Sequence, residues 1–233
     1  MYQIGSVAAI PFVGPAIDTW GRRAGMFIGC VIIVFGVIIQ CATVNNANTD
    51  QFMAGRFFLG FGVSIASAAG PTYVIEFGHP AYRGIVGGLY NVMWPVGALV
   101  ASGAARGGLN YEGNTSWMIP VALQLMFPGI VMFCAFLLPE SPRWLYTRGQ
   151  REKAISYLTK YHGNGNPDSE WVKLQLIEYE ESLEMDGTDK KWWDYRALFR
   201  DRGSIYRLLC NCCTSLFSQW AGNGMSLLTP DQG

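Results

Sequence analysis

The chain has 233 residues, 50% of them hydrophobic and only 15% charged, with 17 Lys and Arg against 17 Asp and Glu. Mean hydropathy is above zero. A sequence this apolar and this sparsely charged excludes an ordinary soluble domain and places the chain among membrane proteins, and a formal net charge of zero gives no case for a nucleic-acid partner.

Charge-free apolar runs of the length that a bilayer core requires, about 20 residues as helix, recur along the sequence with short polar gaps between them. They cover residues 2–17, 24–42, 57–75, 84–105, 117–138 and 208–228. Only helices that satisfy their own backbone hydrogen bonds cross lipid as a bundle of this kind, so the expected fold class is all-α, a polytopic transmembrane helix bundle. The first run is short and reads as clipped. It also lacks the basic region and the short apolar core of a secretory signal, and the natural start is expected upstream.

Glycine is abundant, with 28 residues, and concentrated in these runs. The Gly84-x-x-x-Gly88 spacing and the Gly60-Phe61-Gly62 step are expected to let helices approach closely. Pro11, Pro15, Pro95, Pro120 and Pro128 also fall inside the runs. A soluble helix rarely accepts such prolines, whereas neighbouring membrane helices tolerate the kink, and bent helices around a cavity are expected. The six cysteines all lie in apolar stretches, where they read as packing residues. The cluster Cys210, Cys212 and Cys213 has neither zinc-ligand spacing nor a nearby histidine or acid.

The composition changes after residue 138. Charges crowd in, and residues 150–161 and 169–185 mix polar and apolar positions with the period of short amphipathic helices. Residues 190–199, with paired tryptophans and basic side chains, suit either a helix lying along a membrane surface or a plain solvated helix. The expected organisation is therefore a partial bundle of five helices over 1–138, a linker with short helices over 139–203, and the first helix of a second bundle over 204–233.

Basic residues set the orientation, because short cytoplasmic loops carry an excess of Lys and Arg. Arg22, Arg23, Arg83 and the many basic residues of the linker fall on one side, while the gap 43–51 has none and 107–116 follows a single Arg106. Residues 18–23, 79–83 and the linker are thus expected in the cytoplasm, with the Asn114-Thr115-Ser116 sequon outside.

Charges at membrane depth or at helix mouths are costly and mark candidate functional residues. Four groups qualify: Asp18-x-x-Gly21-Arg22-Arg23; Gly55-Arg56; Pro71-x-Tyr73-x-x-Glu76 leading to Arg83-Gly84; and Pro139-Glu140-Ser141-Pro142-Arg143-Trp144-Leu145. Each is weak alone. In this order and spacing they resemble the signatures of the sugar porters of the major facilitator superfamily, and FGHPAYRG (residues 77–84) with Ser218-Gln219-Trp220-Ala221-Gly222-Asn223-Gly224 is most similar to fungal lactose-permease-like and hexose-transporter-like members.

The resemblance implies that the apolar runs are helices two to seven of a twelve-helix fold whose halves rock about a central site. It implies transport of a small-molecule sugar by alternating access, with proton symport, no cofactor, no metal and no obligate protein partner, at the plasma membrane. Asp18, Arg22, Arg23, Glu76, Arg83, Glu140 and Arg143 would then form a cytoplasmic gate, in which Glu76 and Arg83 flank a tight turn and can pair. Arg56 becomes the proton-coupling candidate, since in proton-coupled relatives the corresponding arginine sits near an acid of helix one. Read without the resemblance, it is an arginine reaching for the outer interface.

Sugar recognition needs neutral donors and acceptors with aromatic faces. Asn91 falls where the family has a substrate-contacting glutamine, and Gln219, Asn223 and Trp220 lie in the seventh-helix motif; a lone amide in a membrane helix equally serves a neighbouring helix. Gln124 and Trp94 line either the cavity or a packing face. An enzyme would need a nucleophile, metal cluster or acid and base pair, and the two histidines, His79 and His162, have no ligand spacing. The remaining readings are a sugar receptor on the same fold and a truncated remnant that transports nothing.

Overall fold

The computed structural model describes residues 1–43, 48–111, 113–186 and 202–218, and all their regular structure is helical. Helices α1 (Tyr2–Asp18), α2 (Arg22–Ala42), α3 (Thr49–Phe77), α4 (Arg83–Gly108), α5 (Thr115–Leu123) and α6 (Met126–Leu137) are the apolar ones. Three more polar helices follow, α7 (Pro142–Thr147), α8 (Arg151–Tyr161) and α9 (Glu170–Asp186), and then α10 (Arg202–Ser218). Residues 1–185 form one compact unit and 186–233 a second.

By length and apolarity, four segments of the described chain can cross a membrane: Arg22–Ala42, Thr49–Phe77, Pro80–Gly108 and Thr115–Leu137. The exterior agrees, since large apolar side chains stand exposed along α1, α2, α4 and α6 (Ile10, Phe35, Leu99 and Phe133 among them). Such a surface is unsustainable in water and normal in lipid. The first expected span is a 17-residue helix, short of the roughly 20 residues that span a bilayer core. The last expected span is described only as far as Ser218. On α10, Tyr206, Leu209, Leu216 and Phe217 are exposed within its own unit, and Cys210, Cys212 and Cys213 are exposed thiols.

The antiparallel α2 and α3 are the centre of the first unit, and α1 packs beside α3. Small residues decide the separation. A Cβ on Gly62 would stand 2.7 Å from the Gly29 carbonyl oxygen and 2.8 Å from the Ile33 nitrogen, so backbone rests on backbone there. Gly60 serves the same end against α1, where a Cβ would collide with the Tyr2 carbonyl. Gly84 and Gly88 do not: among the described residues nothing lies within 4 Å of a Cβ on either. The expectation from their spacing is therefore met at 60 and 62 and fails at 84 and 88, where open space among the described residues surrounds both glycines.

The prolines also divide. Pro11, Pro15, Pro71 and Pro95 lie inside uninterrupted helices. The expected helix over 117–138 is instead two, broken at Gln124 and Leu125. Pro128 has no N–H to bond the Gln124 carbonyl, and the chain tightens there into turn bonds, Leu125 N–H to Ala122 O at 3.0 Å and Gln124 N–H to Val121 O at 3.2 Å.

The polar stretch after α6 has its own core, Leu145, Tyr146, Ala154, Leu158, Val172 and Tyr179. Helix α7, hidden from a periodicity reading by its length of six residues, starts with Ser141 as N-cap and Pro142 in the first turn.

Because overpacking of this kind costs about 1–3 kcal/mol, Gly62→Ala is expected to lower the thermal unfolding midpoint of the detergent-solubilised protein. Gly88→Ala, with open space around it and a gain in helix propensity, should leave the midpoint unchanged or raise it.

Candidate functional site

At the end of the bundle where α1 and α3 finish and α2 begins, three of the charged motifs meet in one network. Arg22, at the start of α2, grips Glu76, near the end of α3, with two parallel bonds: Nε to Oε2 at 2.8 Å and Nη2 to Oε1 at 3.0 Å. Glu76 is buried and the Arg22 side chain is only 13% exposed, so this pair is a fork-to-fork contact largely withdrawn from water. The Ser141 hydroxyl donates to the same carboxylate at 2.6 Å. Arg22 also reaches Asp18 at 3.3 Å, one helical turn back, but Asp18 is 68% exposed.

Glu140 takes the start of α2. Its Oε1 accepts the Arg23 backbone N–H at 3.2 Å, a carboxylate at the positive end of a helix. Gly21 is obligatory here for two reasons: its φ is +100°, and a Cβ would stand 2.8 Å from Glu140 Oε2. The Arg23 side chain donates to the Phe136 carbonyl at 2.7 Å and lies over the Phe136 ring. Tyr73 completes the join by donating to the Pro139 carbonyl at 2.9 Å.

Helix α7 closes the end of α1. Trp144 Nε1 donates to the Asp18 carbonyl at 2.9 Å, and Arg148 donates to the Asp18 and Thr19 carbonyls at 3.1 and 2.7 Å, covering acceptors that a helix terminus leaves open. On the other side, His162 between α8 and α9 donates from Nε2 to the Phe77 carbonyl at 3.1 Å, while its Nδ1 meets Gln175 Oε1 at 2.7 Å. His79, whose ring centroid is 5.2 Å from that of His162, is held below its ordinary pKa by burial and by the neighbouring His162 and Arg83.

The expected pairing of Glu76 with Arg83 is not formed. Gly78 leaves α3 in an extended conformation, and the short turn Pro80–Tyr82 carries Arg83 round to α9, where it meets Glu178 at 3.4 Å. Glu76 faces α2 instead, since antiparallel packing sets the start of α2 beside the end of α3. Arg143 on α7 lies close enough to Tyr179 to oppose the rise of its pKa, which burial pushes up to about 12.

Arg56 and Asn91 stand apart from this network. Arg56 lies seven residues into α3, about 10 Å along the helix from its start. Its guanidinium carbon is 5.1 Å from the Phe52 ring centre, and its Nε is buried with no hydrogen-bond partner among the described residues. It borders a cavity of about 490 Å³ shared with Thr49, Phe52, Asn114, Trp117 and Gln124. Asn91 borders a smaller groove of about 160 Å³ between α3 and α4, with Pro71, Ile75 and Tyr90; its amide donates to the Gly87 carbonyl at 3.3 Å. Trp94 is exposed on α4. Gln219, Trp220 and Asn223 lie outside the described residues.

Sequence reasoning missed Tyr73, Ser141, Trp144, Arg148 and His162 as members of the network. The first three were inside the quoted motifs, so the signal was present without an assigned partner; Arg148 and His162 had none.

The sequence profile of the family described as "Sugar (and other) transporter" matches residues 1–230. Among curated proteins, the chain is 29% identical to a quinate permease of Emericella nidulans over 99% of its own length and 44% of the relative's. It is 31% identical to a high-affinity glucose transporter of Kluyveromyces lactis over 93% of its length and 39% of that protein. The chain thus spans less than half the length of these relatives. Among solved structures, the partially occluded inward-open xylose transporter XylE from E. coli superposes with a TM-score of 0.71 at 20% identity, over 79% of this chain and 47% of that one, a likeness of fold.

Breaking one side of a buried ion pair costs about 3–5 kcal/mol, an exposed one about 0–1. Glu76→Gln is therefore expected to destabilise the purified protein strongly in thermal unfolding, and Asp18→Asn barely. Equal effects would mean that burial does not govern this network.

Proposed function

The chain belongs to the sugar (and other) transporter family, and from that premise we propose that it is part of a membrane permease that moves a small polyhydroxylated solute, in the first instance a sugar, by alternating access with proton symport. The observation that carries the reading is the convergence of three separate charged motifs into one network at a single end of an apolar bundle. A static anchor would need one such contact. A rocking bundle needs its half to move as a body, and this network fastens α1, α2, α3, α6 and α7 together.

In this reading residues 1–138 are part of the first bundle, 139–203 a cytoplasmic linker and 204–233 the start of the second bundle, at the plasma membrane. The parts of the network then differ in role. Glu76 and Ser141 are buried, Arg22 and Glu140 half-buried, and all four are hydrogen-bonded, so they act as a strut that keeps its contacts while the bundle tilts. Asp18 and Arg83, with exposed partners or faces, are the ions free to exchange contacts with the second bundle as the cytoplasmic mouth opens and shuts, and Arg23 and Arg143 extend the same charged rim.

Asn91 is the substrate-binding amide. It borders a groove between two membrane helices, its neighbours Tyr90 and Pro71 supply apolar faces, and its own bond to Gly87 leaves the carbonyl oxygen for a hydroxyl donor. Gln219, Trp220 and Asn223, outside the described residues, are the further substrate-binding candidates of the seventh-helix motif. Arg56 serves proton coupling or charge selection at the opposite end of α3. The names of the relatives favour a second substrate reading, quinate, alongside glucose; both are rings carrying several hydroxyls.

The test is uptake of labelled glucose, xylose and quinate by transport-deficient yeast producing this chain in its complete reading frame. Asn91→Ala should raise the half-saturating concentration about tenfold, the loss of a hydrogen bond to a buried polar group being about 1–3 kcal/mol, with unchanged delivery to the cell surface. An unaltered affinity for every accepted solute removes Asn91 from the site, and no uptake of any of them sinks the permease reading.

A further inference from the structure

The side of the bundle away from α4 and α6 carries a cleft whose walls are wholly apolar. It encloses about 300 Å³ between α2 and α3 and is lined by Val31, Ile32, Phe35, Phe57, Phe58 and Phe61. At about 100° per residue, these positions fall on the faces of α2 and α3 opposite Cys30 and Ile33 and opposite Ala66 and Gly70, which border the space shared with α4 and α6. Phe57 to Phe61 stand about 12–18 Å along α3 from its start, and Val31 to Phe35 about 10–16 Å from the end of α2. The cleft therefore lies within the hydrocarbon core of the membrane, about 30 Å thick, in the half remote from the network of Arg22 and Glu76.

Helix packing keeps the cleft open. A Cβ on Gly36 would stand 2.7 Å from the Leu59 nitrogen, and one on Gly5 would collide with the Phe57 carbonyl, so α2 and α1 already rest on the α3 backbone and cannot move in to fill the gap. The rings hold one another as well. Phe35 meets Phe58 at 5.4 Å between centroids and Phe58 meets Phe57 at 5.8 Å, both edge-on, while Phe61 lies 6.4 Å from Phe57 and 5.7 Å from Phe12 of α1. Rings set at 79° and 83° to their neighbours make a furrow that a flexible chain can follow, with no flat wall for a rigid ring system. Val31, Phe35 and Phe58 are exposed, so the furrow is open to the surrounding lipid.

Water finds no bonding partner in such a space, and an empty one forfeits dispersion contacts along every wall. We propose that the cleft is a binding site for one acyl chain of a membrane phospholipid, held between α2 and α3 as a resident lipid distinct from the exchanging lipid around the bundle. Its volume of about 300 Å³ equals that of roughly ten water-sized groups at ~30 Å³ each, and a methylene is of similar size, so the cleft takes part of one chain and leaves the headgroup outside. The site requires only that the chain crosses a membrane, whatever solute it moves.

The experiment is photolabelling of the purified chain in detergent, supplied with a few molar equivalents of a phosphatidylcholine that bears a diazirine midway along one acyl chain, with adducts mapped by peptide mass spectrometry. Detergent dilutes away loosely held lipid and leaves a resident one. Label should be about fivefold denser over residues 31–35 and 57–61 than around Leu99 of α4 and Phe133 of α6, which are exposed and line no part of the cleft. Val31→Trp, which sets an indole into the cleft from its exposed rim, should cut the label over 57–61 about fivefold and leave that around Leu99 and Phe133 unchanged. Equal density at the cleft and around Leu99 on the unaltered chain overturns the proposal without any variant, as does label over 57–61 that Val31→Trp leaves intact. A photoreactive sterol that labels 57–61 in place of the phospholipid overturns the assignment to an acyl chain.

Discussion

The buried pairing of Arg22 with Glu76 is the contact on which the rest of this structure depends. Two charges taken out of water gain nothing unless each finds geometry good enough to offset its lost hydration, and here the requirement is met by a fork of two bonds and a serine hydroxyl. Meeting it fixes the register of α2 against α3, because a shift of one turn would move the fork about 5 Å from its carboxylate. The glycine contacts along the same interface impose that register a second time, from backbone approach instead of charge. A polar lock at one end and a steric lock along the length together leave this helix pair one arrangement.

The second consequence of that lock is the position of the polar helices. Ser141 is at once the cap of α7 and a donor to Glu76, so the first turn of α7 cannot form in its place unless α3 is in its own. Trp144 and Arg148 then cover the end of α1, and His162 the end of α3. Helix termini that would otherwise face the membrane boundary with open carbonyls are thus closed by side chains from a different part of the chain. Membrane helices and polar helices are built as one body through their ends, with little contact along their sides.

How much of this was legible in the sequence follows from the range of each signal. Apolar runs report burial in lipid directly, so α2, α3 and α4 were readable to within a few residues at most ends, with α3 extended outward because Asn48 caps it and Asp50 enters its first turn. The break between α5 and α6 was not, since Pro120 and Pro128 look alike in sequence and only one of them interrupts the helix. Pairing was legible only as charge balance. Glu76 and Arg83 are close along the chain, and a turn that reverses direction separates them, while the true partner of Glu76 lies 54 positions away. The neutral residues of the site illustrate the same limit. Asn91 was identified by where it falls in a motif, whereas the cavity around Arg56 draws on α3, α5 and Thr43 just past α2 and has no pattern in any single stretch.

The two ends of α3 therefore carry opposite solutions to one problem. At the Glu76 end the carboxylate is answered by the Arg22 fork and the Ser141 hydroxyl. At the Arg56 end a charge of the same type stands over an aromatic ring beside open volume, with neutral polar groups around it and its Nε unanswered. The three charged residues of α3, Asp50, Arg56 and Glu76, thus lie toward its two ends, and the stretch between them carries the glycines, Gly60 and Gly62, that let α1 and α2 rest against it.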